Sequence, residues 1–187
     1  MNRLDFIKKN LSALAVGVFA PVLSKVNPIY AATIHTQHKN NTMETIKTAK
    51  ELLSGYLENI NDTDKLIQLF ADDATVELPY LNSLGLPWQW SGKEVLYNFF
   101  KNLPKTFPGF KFENIRIHID TPDQVFAEYD VNCTIAATGR PYHQTYMGWL
   151  VAGNGKIKLI HEALDMVQVA KSMFPNGVSD LSAGKKQ

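Results

Sequence analysis

The stretch Leu66-Ile-Gln-Leu-Phe-Ala-Asp-Asp-Ala-Thr-Val-Glu-Leu-Pro-Tyr80 constrains the fold more than any other. Leu66, Ile67, Leu69 and Phe70 have the spacing of the buried side of a short helix, and Ala71-Asp72-Asp73 marks its end. Residues 74–79 then read as a short strand. Pro79 has no amide proton to give a ladder, so this strand ends there or lies on a sheet edge. Asp72 and Asp73 could be read as paired carboxylates, but at a helix-to-strand corner they fit turn and capping roles better.

The flanking periodicity supplies the other layers. Ile46, Ala49, Leu52, Leu53, Tyr56, Leu57 and Ile60 form one helical stripe in a segment beginning at Thr42, and residues 61–64 break it and cap the next helix. Ser91-Gly-Lys-Glu94 has the pattern of a capping box, followed by a third helix bearing Val95, Leu96, Phe99, Phe100 and Leu103 that Pro104 is expected to stop. After Pro108 the period becomes two. Phe110, Phe112, Ile115, Ile117 and Ile119 alternate with one slip near Asn114, and Val125 to Ile135 alternate cleanly. Residues 142–151 form the next strand, Gly153-Asn154-Gly155 a tight hairpin turn, and residues 156–165 the last strand. Helix, helix, strand, helix and four long strands predict an α+β fold, with three helices packed on one face of a curved antiparallel sheet.

The termini differ from this domain. Arg3, Lys8 and Lys9 precede a short apolar run at 11–23 and small residues at 31–32, the layout of an export signal. The run is shorter than the roughly 20 apolar residues a bilayer span needs. An uncleaved anchor or a buried helix is the alternative. We therefore expect a signal peptide at 1–32, a linker at 33–41, a folded domain at 42–170 and a flexible tail at 171–187, in a protein that is periplasmic or secreted. Loss of residues 1–32 removes Arg3, Lys8, Lys9, Lys25 and Asp5 and turns a formal charge of +1 into −2. No basic stripe remains for a phosphate backbone, so nucleic acid is not an expected partner, nor is stable membrane insertion after signal cleavage. Cys133 is the only cysteine, which rules out an intramolecular disulfide; its place in an alternating strand reads as core.

Tyr56, the corner Leu69-Phe-Ala-Asp-Asp-Ala-Thr-Val-Glu77, Pro79, Ser91-Gly-Lys-Glu94, Thr138-Gly-Arg140 and Gly155-Lys-Ile157 together resemble the nuclear transport factor two-like (NTF2-like) superfamily, in particular its SnoaL-like polyketide cyclase and ketosteroid isomerase-related branches. The resemblance covers roughly residues 42–169. It implies a cone-shaped α+β barrel, open at one end into an apolar cavity and often dimeric through the outer face of the sheet. It leaves the reaction open, because such a fold hosts many chemistries. The ketosteroid isomerase pattern breaks at two of three positions. Leu78 stands where that branch has its proton-shuttling aspartate and Met147 near its second acid, while Tyr56 matches its phenol donor. Steroid isomerisation by that route is therefore not expected.

The last strand offers other chemistry. If Lys156 and Lys158 face water, then Ile157, Leu159, His161, Ala163 and Asp165 share the concave face by parity. SnoaL-like cyclases carry an acid/base aspartate late in this strand, and Asp165 is the residue that matches it. The resemblance thus nominates Asp165 as acid/base, with His161 and Tyr56 polarising a carbonyl or hydroxyl. Against this, Asp165 could cap the segment that follows and His161 could be a satisfied wall residue. Candidate ligand contacts are Tyr80, Trp88, Trp90, Phe99, Tyr129, His143, Tyr146 and Trp149, with Trp88 and Trp90 as a lid over a flat apolar molecule. His118, His143 and His161 lack ligand-like spacing, so we expect neither metal nor cofactor. The expected activity is isomerase-, cyclase- or dehydratase-like on a small hydrophobic cyclic molecule, in a homodimer. A non-catalytic binding module, or an accessory domain whose cavity is filled by its own side chains, are the alternatives.

Overall fold

The computed structural model describes residues 46–182; the proposed signal, the linker and the first residues of the segment expected to be helical from Thr42 lie outside them. The first helix, α1 (Ala49–Glu58), starts later than its apolar stripe suggests, because Thr48 caps it. The Glu51 amide donates to Thr48 Oγ1 at 3.3 Å and the Thr48 amide to Glu51 Oε2 at 2.8 Å, a reciprocal box worth about 1 kcal/mol. Ile46 is left exposed ahead of it. Asp62 caps the short α2 (Thr63–Ile67).

Strand β1 (Phe70–Glu77) begins four residues before the predicted start. Asp72 and Asp73 bulge out of its pairing and meet Lys93 and Lys158 at 3.5 and 2.6 Å. A 3₁₀ segment (Pro79–Leu84) and a three-residue strand, β2 (Gln89–Ser91), lead from β1 to the next helix. The next helix, α3 (Lys93–Thr106), corrects two expectations. Its N-cap is Gly92, and the Ser91 hydroxyl bonds Thr75 Oγ1 instead of closing a box with Glu94. Pro104 lies inside its last turn rather than ending it; lacking an amide proton it forfeits the bond to the carbonyl four residues back, and the helix ends two residues later.

Four long strands follow: β3 (Phe112–Asp120), β4 (Gln124–Thr134), β5 (Pro141–Gly153) and β6 (Lys156–Ala163). The slip expected near Asn114 is present, with Asn114 in the left-handed region (φ 52°) where the β3–β4 register shifts. The sheet order is β2-β1-β6-β5-β4-β3. Every pairing is antiparallel except β1–β6, which is parallel, so the sheet is mixed rather than wholly antiparallel. Helices and one face of this curved sheet enclose a core rich in aromatics: Tyr56 packs edge-on to Phe70 and Phe100, and Phe112 edge-on to Tyr129.

The C-terminal stretch expected to be flexible from residue 171 is instead anchored as far as the described residues reach. Helix α4 (Met166–Met173) ends on Phe174, which is fully buried. Arg140 donates to the carbonyls of Lys171, Phe174 and Pro175 at 3.1, 2.7 and 2.8 Å. A guanidinium against helix-end carbonyls satisfies orphan acceptors and opposes the helix dipole. A short α5 (Ser179–Ser182) closes the described chain. Among the described residues no helix is long and apolar enough to cross a membrane.

Candidate functional site

Strand β6 decides what faces the cavity, and it does so through an extra residue. Opposite β5, Val151 pairs with Leu159 but Ala152 with Ile157, so Lys158 is unmatched. Such a bulge flips the alternation beyond it. Ile157 points inward; past the bulge Ile160 and Glu162 point inward too, and Leu159, His161 and Ala163 turn to the outer face. The parity that put His161 on the concave wall is therefore corrected, and the residue that takes the inner place is Glu162.

Glu162 is 4% exposed. Tyr129 donates to its Oε1 at 2.5 Å and Tyr56 to the same oxygen at 3.3 Å. Its Oε2 makes no protein hydrogen bond, yet no buried side-chain oxygen or nitrogen among the described residues lacks a partner, so Oε2 is the carboxyl's accessible edge. Burial disfavours the charge and pushes the carboxyl up to about 7, against the opposing pull of the two phenol donors. Burial and the adjacent carboxylate in turn hold the Tyr56 and Tyr129 phenols well above their ordinary value. Gly148 makes the cluster possible. It lies opposite Glu162 and Ala127 in the ladders, and a Cβ there would collide with the Tyr129 phenol oxygen.

The cavity beside Glu162 has a volume of about 70 Å³. Phe99, Phe100, Trp90 and Phe112 form its aromatic wall, and Leu81 and Leu86 of the 79–86 segment contribute from one side. A second polar group, Tyr142 and Tyr146 with their hydroxyls 2.9 Å apart, also lines it. Behind them Gln144 is clamped to the backbone of Asp165, accepting from its amide at 2.8 Å and donating to its carbonyl at 3.1 Å.

The residues nominated from sequence divide between two places. Tyr56, Trp90, Phe99 and Tyr146 line the cavity, and Tyr129 stands directly behind Glu162. Trp90 is a wall, its ring tilted against Phe99 with ring centres 4.4 Å apart, rather than a lid. Trp88 packs half-buried against the core, and Tyr80 is 56% exposed on the 3₁₀ segment. His161, His143 and Trp149 are on the outer face: His161 bonds Glu77 at 2.8 Å, His143 bonds Asn132 at 2.6 Å, and the Trp149 indole donates to Gln124 at 3.1 Å. Asp165 does cap the next helix, accepting from the Val167 and Gln168 amides at 2.7 and 3.3 Å. It shares an open polar groove of about 330 Å³ with His143, Asp130 and Thr145, outside the aromatic cavity. Among the described residues no group of three or more His, Cys, Asp or Glu could hold a metal.

A family model for the SnoaL-like domain matches residues 54–160, more than half of the chain. The chain belongs to the SnoaL-like family. The Bacillus subtilis protein YesE, itself uncharacterised, is 25% identical to this SnoaL-like chain over 119 residues, covering 63% of this chain and 79% of YesE. Among solved structures, a candidate isomerase from Bacillus subtilis is similar at 23% identity and a TM-score of 0.60, covering 66% of this chain and 91% of that one. A candidate polyketide cyclase from Xanthomonas campestris is similar at 18% identity and a TM-score of 0.55, covering 63% and 90%. Others are named NTF2-like or ketosteroid isomerase-like in fold. At these identities the structural likeness establishes the cone fold. Glu162 lies two residues beyond the matched stretch.

No sequence pattern used above selected Glu162, though one signal was present. Ile157 and Ile160 are three apart, a spacing that a regular strand cannot bury on one face. That conflict points to a bulge, and a bulge turns the acid between Ile160 and Leu164 inward.

Proposed function

We propose that this SnoaL-like protein takes a small, hydrophobic, cyclic molecule into the aromatic cavity and moves a proton on it with Glu162, in an isomerase- or cyclase-like reaction. The observation that supports this most is one buried carboxyl, the single acid in a mainly aromatic and aliphatic pocket, with an unbonded edge. A carboxyl held near 7 is populated in both forms at neutral pH, which is where a general acid–base group works best. As carboxylate, Oε2 takes a proton from a carbon next to a carbonyl; the C–H electron pair stays on the substrate as an enolate. Returning that proton at another carbon isomerises the ring. Tyr56 and Tyr129 hold Oε1 and fix the carboxyl plane. In this reading the acid/base role belongs to Glu162 and not to Asp165, whose carboxylate is engaged by a helix N-terminus. At about 70 Å³ the cavity is smaller than the ~150 Å³ that holds a benzene ring, so a cyclic ligand enters only as the lining side chains, Leu81 and Leu86 among them, give way.

The test is exchange of α-hydrogens of cyclohexanone in D2O, followed by proton NMR. Glu162→Gln should slow it at least ~100-fold, and Asp165→Asn should leave it unchanged; exchange that survives in Glu162→Gln overturns the assignment. Native mass spectrometry of protein from its own host should show a retained apolar molecule.

Two further parts of the reading concern place and assembly. The basic and apolar N-terminal run supports export to the periplasm or medium, and N-terminal sequencing of recovered protein should start near residue 33. The outer sheet face supports a homodimer: Ile119, Met147 and Trp149 are 61, 48 and 39% exposed beside Phe126, an apolar band on a face otherwise polar. Trp149→Glu should give a monomer by light scattering; an unchanged mass removes that face from consideration.

A further inference from the structure

Glu162 lies just beneath the thinnest part of the cavity wall. Among the described residues that line the cavity, only Leu78 and Leu164 are half-buried; the others, Glu162 included, are buried. A side chain that touches both cavity and solvent is all that separates the two at that point. Both leucines leave the same end of the parallel β1–β6 pair. The last register partners there are Glu77 and His161, whose side chains bond each other on the outer face. One step on, Leu78 falls beside Glu162, and both line the cavity. Leu164 follows Glu162 by two residues, which keeps it on the same face about 7 Å further along. From these two ends the chain runs on as the 3₁₀ segment and as α4, which lie against each other.

The two sides of this opening are held differently. The Leu78 amide donates to the Trp88 carbonyl at 2.7 Å. Leu164 lies beyond the last β5–β6 pair, Met147 with Ala163, and the next residue, Asp165, has its amide and carbonyl on the Gln144 side chain at 2.8 and 3.1 Å. Leu164 therefore bridges a strand ladder and a side-chain clamp, and it is the side that yields. Gln144 is buried outside the cavity wall, so it acts on Leu164 only through Asp165.

We propose that the ligand reaches Glu162 between Leu78 and Leu164, and that Leu164, with Gln144 as its positioning residue, sets how bulky a ring passes. The inference rests on the reading that the cavity holds the ligand, and it narrows the class to a compact ring without large out-of-plane substituents. A cavity of about 70 Å³ admits no ring until a lining side chain moves. Passage between the leucines, rather than encounter, then limits the on-rate.

NMR line shapes during titration of cyclohexanone into the folded protein give both rates. Leu164→Ala should raise the on-rate about 10-fold, and Leu78→Ala, on the facing side, should raise it likewise. Gln144→Leu frees Asp165 without altering the cavity wall and should raise the on-rate about 3-fold, a response that added room alone does not produce. Leu103→Ala, which widens the cavity on the α3 side, should leave the on-rate within about twofold and act on the off-rate. With 4-tert-butylcyclohexanone the gain in Leu164→Ala should exceed the gain seen with cyclohexanone. An on-rate that stays at the wild-type value in both Leu164→Ala and Leu78→Ala, or that rises in Leu103→Ala instead, overturns the entrance and leaves the pocket reading standing. Equal gains for the two ketones overturn selection by Leu164, and an on-rate unmoved by Gln144→Leu removes the positioning role of Gln144. Binding of neither ketone by the wild type removes the pocket reading and the entrance together.

Discussion

His161 and Glu162 are neighbours on one strand, yet they occupy opposite electrostatic worlds. The His161 side chain lies on the outer face, partly solvated, against Glu77 and near Trp149; Gln89 donates to the same carboxylate at 2.8 Å. Water screens such a pair, and its net worth is small. Glu162 points into a wall of rings, meets only phenol donors on one oxygen, and shifts far from its ordinary ionisation. A change of one residue in direction separates a surface hydrogen-bonded pair from a group poised for proton transfer. Chemical type nominated only His161; environment singles out Glu162.

The contrast can be broken most severely at Gly148. Gly148→Ala places a Cβ against the Tyr129 hydroxyl from a backbone-fixed position, and we expect a loss of roughly 3 kcal/mol or more in urea unfolding. Met147→Ala, one residue away on the outer face, should cost no more than about 1 kcal/mol. Equal losses would mean the inner face has slack that the geometry denies.

The pH dependence of stability sharpens the same comparison. Folded Glu162 keeps its proton up to about 7, whereas an ordinary carboxyl releases it near 4.5. Between those values the folded state binds more protons than the unfolded state, so stability falls as pH rises and the decline is complete above the folded value. The expected loss is about 3 kcal/mol, read as a falling denaturation midpoint in wild type and a flat one in Glu162→Gln. Tyr129→Phe removes the shorter of the two donors. It should raise the Glu162 ionisation further, seen by carbon-13 NMR of the labelled carboxyl, and cost about 1.5 kcal/mol above pH 7. The smallest effect belongs to the outer face: His161→Ala should change stability by at most about 1 kcal/mol. A larger loss there would erase the distinction drawn above.

Much of the fold could be read without coordinates because its signals are local. The helical stripe through Tyr56, the slip at Asn114 and the tight turn at Asn154-Gly155 each depend on residues close in sequence, and each is present. The misreadings fall where distant partners compete. Ser91 fits a helix cap, but Thr75 on the paired strand takes its hydroxyl. The residues from 171 have a loop-like composition, but Arg140 lies 31 residues earlier and still fastens them. The parallel β1–β6 pair joins strands with four others between them in the chain, and no periodicity announces it.

The candidate site repeats this division. The sequence alone determined that an α+β cone with an aromatic interior would form, because apolar period and turn chemistry act over a few residues. It also put Tyr56, Trp90, Phe99 and Tyr146 among the candidates. Only the tertiary structure decided which acid faces that interior. The choice between Asp165 and Glu162 turns on one unmatched residue, Lys158, which the pairing of β6 with β5 leaves over and whose ammonium Asp73 of β1 engages. A strand's parity is a collective property of its neighbours. One extra residue moves every later side chain to the other face.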